Sequence, residues 1–356
     1  MAKELAQFQT HQLIFANHSR CKIDFTKINT NNKKIYTFET INILHTLFSA
    51  YHLATSKYVF IDNYLGILSV IRFRKEVKCV QLWHAAGAIK KFGWCDPETS
   101  MRNKRAQSRF QKVYDQFHYI PVGSRLMAHI FAESFHLDSN HFLYTGVPQT
   151  DFYFDAAARA NGMVKVERTY PAIEGKKVIL YAPTFRKDEL SKMELKLNIA
   201  EMLEKLGDDY VLLIRLHPSV QGSSQLPEDP RVISVSNYPH INELLTASDI
   251  LITDYSSIPV EFSLLRKKMI FFTYDSETYN DTQGLWTEEI SHFPGPLVKT
   301  TAQLIQHILD AEVDYGKIDR FSNHWNTFST GQSTRQLVQA IYDEKDLETK
   351  EKNNPW

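Results

Sequence analysis

Long apolar runs are missing from this chain of 356 residues, and so is any excess of charge. No window approaches the ~18 uncharged apolar residues that a membrane-crossing helix needs, so nothing in it reads as a span. The first ten residues hold no apolar stretch of signal-peptide length, and the expected location is the cytoplasm. Lys plus Arg number 41 and Asp plus Glu number 41; this neutrality argues against a protein built to coat nucleic acid. Cysteine is scarce. Cys21, Cys79 and Cys95 form an odd set without paired spacing, which excludes a disulfide framework and a Cys-rich zinc site. Also absent are a D-x-D pair, a G-x-x-x-x-G-K-S/T loop and a G-x-G-x-x-G turn, so neither an NTPase nor a dinucleotide enzyme is indicated. No cofactor and no metal are expected. What the chain does have is aromatic residues, 12% within a hydrophobic share of 43%, enough apolar area for two cores.

Short apolar runs alternate with amphipathic stretches, the pattern of an α/β protein with mostly parallel sheets. Strands are expected at 57–62 (KYVFID), 77–83 (VKCVQLW), 119–122 and 142–144. A second series follows at 177–181 (KVILY), 210–215 (YVLLIR), 232–235, 250–253 (ILIT) and 269–274 (MIFFTY). The helical candidates are 101–117, 125–135, 192–206, 241–247, 259–265, 303–311 and 333–343, with a charged tail beyond. Residues 156–174, rich in Ala, Gly, Lys and Glu and without strong period, read as an interdomain connection. The expectation is two doubly wound domains, 1–160 and 161–356, the last helices able to pack back on the first. Ligands of such folds lie beyond the carboxyl ends of the strands, which directs attention to the loops there.

Four of those loops carry chemistry. After Trp83 comes His84-Ala85-Ala86-Gly87-Ala88, where small residues let a ligand approach the backbone and leave an imidazole as a general base; a core histidine in a tight turn fits equally well. After Tyr181, Thr184 and Arg186 offer a hydroxyl and a planar cation to a phosphate; a surface Arg beside a turn proline is the alternative. Arg215-Leu216-His217-Pro218 fixes a cation and an imidazole at a strand tip, because proline stiffens the loop. Finally, Thr253-Asp254-Tyr255-Ser256-Ser257-Ile258-Pro259-Val260-Glu261 places two serines at a helix start, where unpaired N–H groups can hold a diphosphate. Simple capping accounts for one of those serines. A helix terminus with Arg and His can neutralise a diphosphate leaving group without a divalent ion.

In QLWHAAGAIKKFG (81–93), YAPTFR (181–186), RLHP (215–218) and ASDILITDYSSIPVEF (247–262) the sequence resembles the CDP-glycerol glycerophosphotransferase family of wall teichoic acid synthesis. A weaker likeness, FPGP at 293–296, continues toward the end. The resemblance implies a GT-B type fold: two facing Rossmann-like domains with the active site in an interdomain cleft, an N-terminal acceptor domain and a C-terminal CDP-glycerol-binding domain. By the same match His84 corresponds to the family's catalytic base and His217 to its second essential histidine. Thr184, Arg186, Arg215, Ser256 and Ser257 would contact the donor phosphates, with Thr253, Asp254 and Glu261 beside them as partners of hydroxyls or cations. One loop departs: where members carry G-x-P-R-N/D-D, this chain reads Gly146-Val147-Pro148-Gln149-Thr150-Asp151. The WHAAGAIKKFG wording and the lack of a large extension look most like the family's glycerol-phosphate primases.

The resemblance thus implies transfer of glycerol phosphate from CDP-glycerol to an undecaprenyl-diphosphate-linked disaccharide, with CMP released. An acceptor hydroxyl would attack the β-phosphorus in line while His84 takes its proton. A lipid acceptor requires the inner face of the cell membrane, and other teichoic acid enzymes become candidate partners. The stretches 71–78 (IRFRKEVK) and 101–112 (MRNKRAQSRFQK) interleave Lys and Arg with apolar residues and can lie on an anionic leaflet; a solvated helix face explains them as well. The rival readings are a glycerol- or ribitol-phosphate polymerase, a UDP-sugar-dependent GT-B glycosyltransferase, and a membrane-docking scaffold.

Overall fold

The structure, a computed structural model, describes residues 1–7, 11–18, 21, 23–30, 32–38, 42–184, 186, 195–216 and 226–342. Runs of β-branched and aliphatic residues form its strands, and every strand pair is parallel. The chain makes two compact units and passes between them four times. The first unit comprises Met1–His84, Glu98–Asp151 and Phe328–Trp356, the second Ala85–Pro97 and Phe152–Thr327. A single boundary at residue 160 therefore does not describe the organisation.

In the first unit β1 (Leu13–His18) pairs with β2 (Lys33–Phe38), neither anticipated from the sequence. Neither strand has a fully buried residue, so the apolar signal that marks a core strand is missing. The other four strands are β3 (Tyr58–Ile61), β4 (Lys78–Gln81), β5 (Ile120–Pro121) and β6 (Phe142–Leu143). They lie in that order, β4 meeting β5 at the Val80–Tyr119 bridge. Helix Arg125–Phe135 starts where the Ser124 side chain accepts from Met127 N, and it buries Met127, Ile130, Phe131 and Phe135. The expected helix at 101–117 is two, Pro97–Met101 and Lys104–Tyr114, because Asn103 caps the second by accepting from Ala106 N. The final helix, Ser333–Tyr342, adds Leu337 and Ile341 to a core with Val80 and Leu143. Its first turn is capped from afar: the Asp151 carboxylate accepts from Ser333 N and Thr334 N, both at 2.8 Å. Gly146, at φ +78°, makes that docking possible, since a Cβ there would lie 2.3 Å from Ser333 Oγ. The 146–151 loop thus anchors the last helix, with Gln149 exposed at its rim.

The second unit holds β7 (Lys177–Ala182), β8 (Tyr210–Ile214), β9 (Val232–Ser234), β10 (Ile250–Thr253), β11 (Lys268–Phe272) and β12 (Leu297–Val298) in one sheet. Across the sheet the order is β9-β8-β7-β10-β11-β12. That is the doubly wound order 3-2-1-4-5-6, whose reversal point falls between β7 and β10. One core cluster runs from Ile179, Tyr181, Leu212 and Ile214 through Ile252 and Ile270 to Leu304 and Ile308. The 156–174 segment is not an open connection. Residues Ala156–Thr169 form a helix that Asp155 caps, followed by a 3-10 turn, Pro171–Ile173. Its period is faint because only Gly162 and Val166 are buried, Gly162 lying where a Cβ would come within 3.1 Å of Glu243 Cγ.

Candidate active site

The reversal point of the second sheet is where a ligand crevice forms, and the polar strand ends meet there. Asp254, just past β10, is 1% exposed. Its carboxylate accepts from Thr184 N at 2.9 Å, Thr184 Oγ1 at 2.9 Å and Tyr255 N at 2.7 Å. Arg186 Nη1 adds a fourth donor at 2.9 Å. The same guanidinium forks onto Asp275 beyond β11, Nε to Oδ2 at 2.7 Å and Nη2 to Oδ1 at 3.0 Å. Three rings enclose it: Tyr279, Tyr274 and Tyr255 have centroids 4.5, 5.5 and 5.6 Å from Cζ. Burial opposes the charge of Arg186, but the Asp275 hydrogen bonds and the Asp254 charge outweigh it and hold its pKa above the ordinary value.

This geometry gives four of the expected residues partners within the protein. Arg186 is paired with two carboxylates, Asp254 and Asp275, instead of standing free at the strand tip. Thr184 and Asp254 spend their polar atoms on each other and on Arg186. Thr253, fully buried, donates through Oγ1 to Ala182 O at 2.7 Å, joining β10 to β7. Together they form a clamp that fixes the tips of β7, β10 and β11. Asp275 was not anticipated, although it too stands just past a strand end.

Groups still able to meet an anion lie around this clamp. Arg215, past β8, gives Nη1 to Tyr238 O at 2.8 Å and Val235 O at 3.2 Å, and among the described residues no carboxylate pairs with it. Burial lowers its pKa, with Tyr170 pulling the other way. Ser256 and Ser257 are half-buried at the start of helix Ile258–Ser263. Ser257 takes the N-cap position without a side-chain capping bond, while Ser256 Oγ accepts from Ile258 N at 3.2 Å. Glu261 is buried one turn further on, where its charge helps raise the pKa of Tyr153 beyond the effect of burial. His217 lies outside the described residues.

His84 belongs to the first unit, just past β4. Trp83 before it has φ +59°, a conformation that a bulky residue adopts only under constraint. The constraints are visible: Gln81 Oε1 accepts from Trp83 N at 2.8 Å, and the indole packs against Phe131 and Phe135. The kink leaves the imidazole against the indole face, centroids 4.5 Å apart, with the residue exposed. Desolvation lowers the pKa of His84, while a hydrogen bond to the Asp62 backbone and the Asp62 charge work in the opposite sense. Near neutral pH the ring is uncharged, and that backbone bond orients it. The small residues after His84 are closely packed. Ala86 is fully buried, and a Cβ on Gly87 would lie 2.5 Å from Val260 Cγ2 and 3.2 Å from Trp325.

One more surface escaped the sequence reading. Helix Ile43–Thr55 presents Ile43, Leu44, Leu47, Phe48 and Tyr51 with 48–72% of their surfaces exposed. Exposed cations occupy the two anticipated basic stretches: Arg72, Arg74 and Lys75, then Arg102, Lys104, Arg105, Arg109 and Lys112.

Parallel doubly wound units with polar strand tips define a GT-B type α/β fold. The solved wall teichoic acid polymerase TagF shares it, with a TM-score of 0.80 at 22% identity over 98% of this chain and 85% of that one. The chain belongs to the CDP-glycerol:poly(glycerophosphate) glycerophosphotransferase family, whose profile matches residues 5–343, and it is an enzyme of that class. It is 38% identical to the teichoic acid glycerol-phosphate primase of Bacillus subtilis, over 87% of this chain and 80% of that protein. It is also 35% identical to the poly(ribitol-phosphate) polymerase of Bacillus spizizenii, over 82% of this chain and 47% of that protein. No helix among the described residues is long and apolar enough to cross a membrane.

Proposed function

We propose that this chain is a teichoic acid primase that moves one glycerol phosphate from CDP-glycerol to a lipid-linked disaccharide on the inner membrane face. The likeness to the primase over most of both chains carries this reading. In the reaction an acceptor hydroxyl oxygen forms a bond to the β-phosphorus as the bond to the bridging oxygen breaks, and CMP leaves with that oxygen. The hydroxyl proton passes to His84, a role supported by its uncharged state near neutral pH and worth about 10²–10⁴-fold in rate. Arg215, Ser256, Ser257 and the first N–H groups of the following helix are assigned to the diphosphate, and His217 to charge on the leaving group. Thr184, Arg186, Thr253 and Asp254 act one step back, by holding those loops in place. Glu261, beside the Tyr153 hydroxyl, is assigned to glycerol or ribose hydroxyls.

Membrane attachment is supported by the exposed apolar face of helix Ile43–Thr55 together with the two basic stretches, an apolar and a cationic component as interfacial binding requires. The test is product analysis: CDP-glycerol, CDP-ribitol and UDP-sugars are supplied with a short-chain lipid disaccharide, and nucleotide release and chain growth are followed. One addition with CMP release is expected from CDP-glycerol. A ladder of products would make the enzyme a polymerase, and release of UDP from a UDP-sugar would overturn the donor assignment.

A further inference from the structure

Away from the strand ends, the second unit gathers three metal-ligating side chains that the transfer reaction does not use: Glu289, His292 and His324. Glu289 stands on helix Thr287–Ser291, His292 directly follows it, and His324 lies on helix Tyr315–Asn326. Both rings converge on one oxygen. Glu289 Oε2 is 3.0 Å from His324 Nε2 and 3.8 Å from His292 Nδ1, and one ligand atom from each residue falls within 4.8 Å of the others. A hydrogen bond accounts for the first contact but not for the second.

Electrostatics points the same way. Glu289 is a buried carboxylate, and among the described residues no Lys or Arg pairs with it. One hydrogen bond from His324 satisfies only part of what a buried carboxylate requires, whereas a dication shared by all three would complete it. The spacing suits one: metal–ligand bonds of about 2.0–2.1 Å in a tetrahedron put neighbouring ligand atoms about 3.3 Å apart. The two separations from Glu289 bracket that value and the third lies within 4.8 Å, so rotations of the exposed rings would draw the three ligand atoms around one ion. Two imidazoles with one carboxylate select a borderline ion such as Zn²⁺ over Mg²⁺ or Ca²⁺. The exposure of both histidines supplies an entry path.

We propose that Glu289, His292 and His324 bind one Zn²⁺-type divalent cation with a remaining position open to water. Its place in the fold gives it a mechanical role. Just before the Glu289 helix, Trp286 N donates to Ile89 O at 3.1 Å and Gly284 O accepts from Lys91 N at 3.0 Å. Trp325, next to His324, packs where a Gly87 side chain would stand. The cation therefore clips together the two elements that hold Ala85–Pro97, the segment immediately following His84. The sequence hid the set because His324 is 35 residues from Glu289.

The experiment uses the untagged full-length chain, stripped with chelator and then titrated with Zn²⁺ and Co²⁺. One equivalent of Zn²⁺ per chain is expected, with intense visible Co²⁺ bands of low coordination number and a rise in Tm on metal addition. His292→Ala alters an exposed side chain and keeps the fold, and it should weaken Zn²⁺ binding more than about tenfold and remove the Tm rise. His324→Ala should do the same. No stoichiometric binding by the wild type, or equal binding by His292→Ala, overturns the site.

Discussion

Replacing Asp254 by Asn separates a scaffold role from direct substrate contact. In the native site its two oxygens take donors from Thr184 N, Thr184 Oγ1, Arg186 Nη1 and Tyr255 N, in a position 1% exposed. An amide keeps one acceptor and turns the other into a donor aimed at donors. Arg186, its side chain 10% exposed, keeps Asp275 as its one counter-charge among the described residues. Breaking one side of a buried ion pair costs about 3–5 kcal/mol. At about 2–4 °C per kcal/mol for a unit of this size, the midpoint of thermal unfolding should fall by roughly 6–20 °C. Differential scanning calorimetry measures the shift, and CMP release well below the new midpoint reports the chemistry. Activity per folded molecule should stay within about tenfold of wild type. A variant with an unchanged midpoint that no longer binds CDP-glycerol would refute the clamp and make Asp254 a substrate ligand.

Changing His84 to Ala should lower kcat by about 10²–10⁴-fold with little change in CDP-glycerol affinity. The pH profile carries its own sign: a base must be unprotonated, and desolvation of the ring lowers this pKa, so wild-type kcat/KM should fall only on the acid side of the usual histidine value near 6.5, a limb that His84→Ala abolishes. Arg215→Gln removes a cation whose partners are backbone carbonyls; calorimetric titration should show CDP-glycerol affinity falling about 10–150-fold, the worth of a charge-assisted hydrogen bond, with the fold kept. Gly87→Ala drives a methyl into Val260 and should cost about 1–3 kcal/mol in urea unfolding, recovered in part by Val260→Ala. Leu47→Asp with Phe48→Asp should abolish flotation with anionic liposomes while leaving CMP release from CDP-glycerol onto a soluble acceptor analogue intact.

The sequence disclosed what is written locally and concealed what is assembled from afar. Apolar runs such as KVILY and ILIT announce themselves, and rules for strand ends lead from them to Asp254, Arg215 and the two serines. The same reasoning expected Arg186 at a phosphate and did not foresee its fork onto Asp275, which is 89 residues away. It had no means of foreseeing that Gly87 in the run Ala85–Ala88 packs against Val260 and Trp325, because small residues look alike whatever they admit. Polar edges defeated it in β1, β2 and helix Ala156–Thr169, where few side chains are buried and no period stands out. Helix Ile43–Thr55 was passed over altogether, and only its exposure in the fold marks its apolar face.

The four passages of the chain between units bear on biosynthesis. The second unit ends at Thr327, so all of it has been translated before the last piece of the first unit appears. The first unit needs Leu337 and Ile341 to complete the cluster with Val80 and Leu143, and Asp151 has no helix to cap until Ser333 and Thr334 emerge. Domains generally fold as they leave the ribosome, N-terminal first. Here the order is inverted: the unit begun first is finished last.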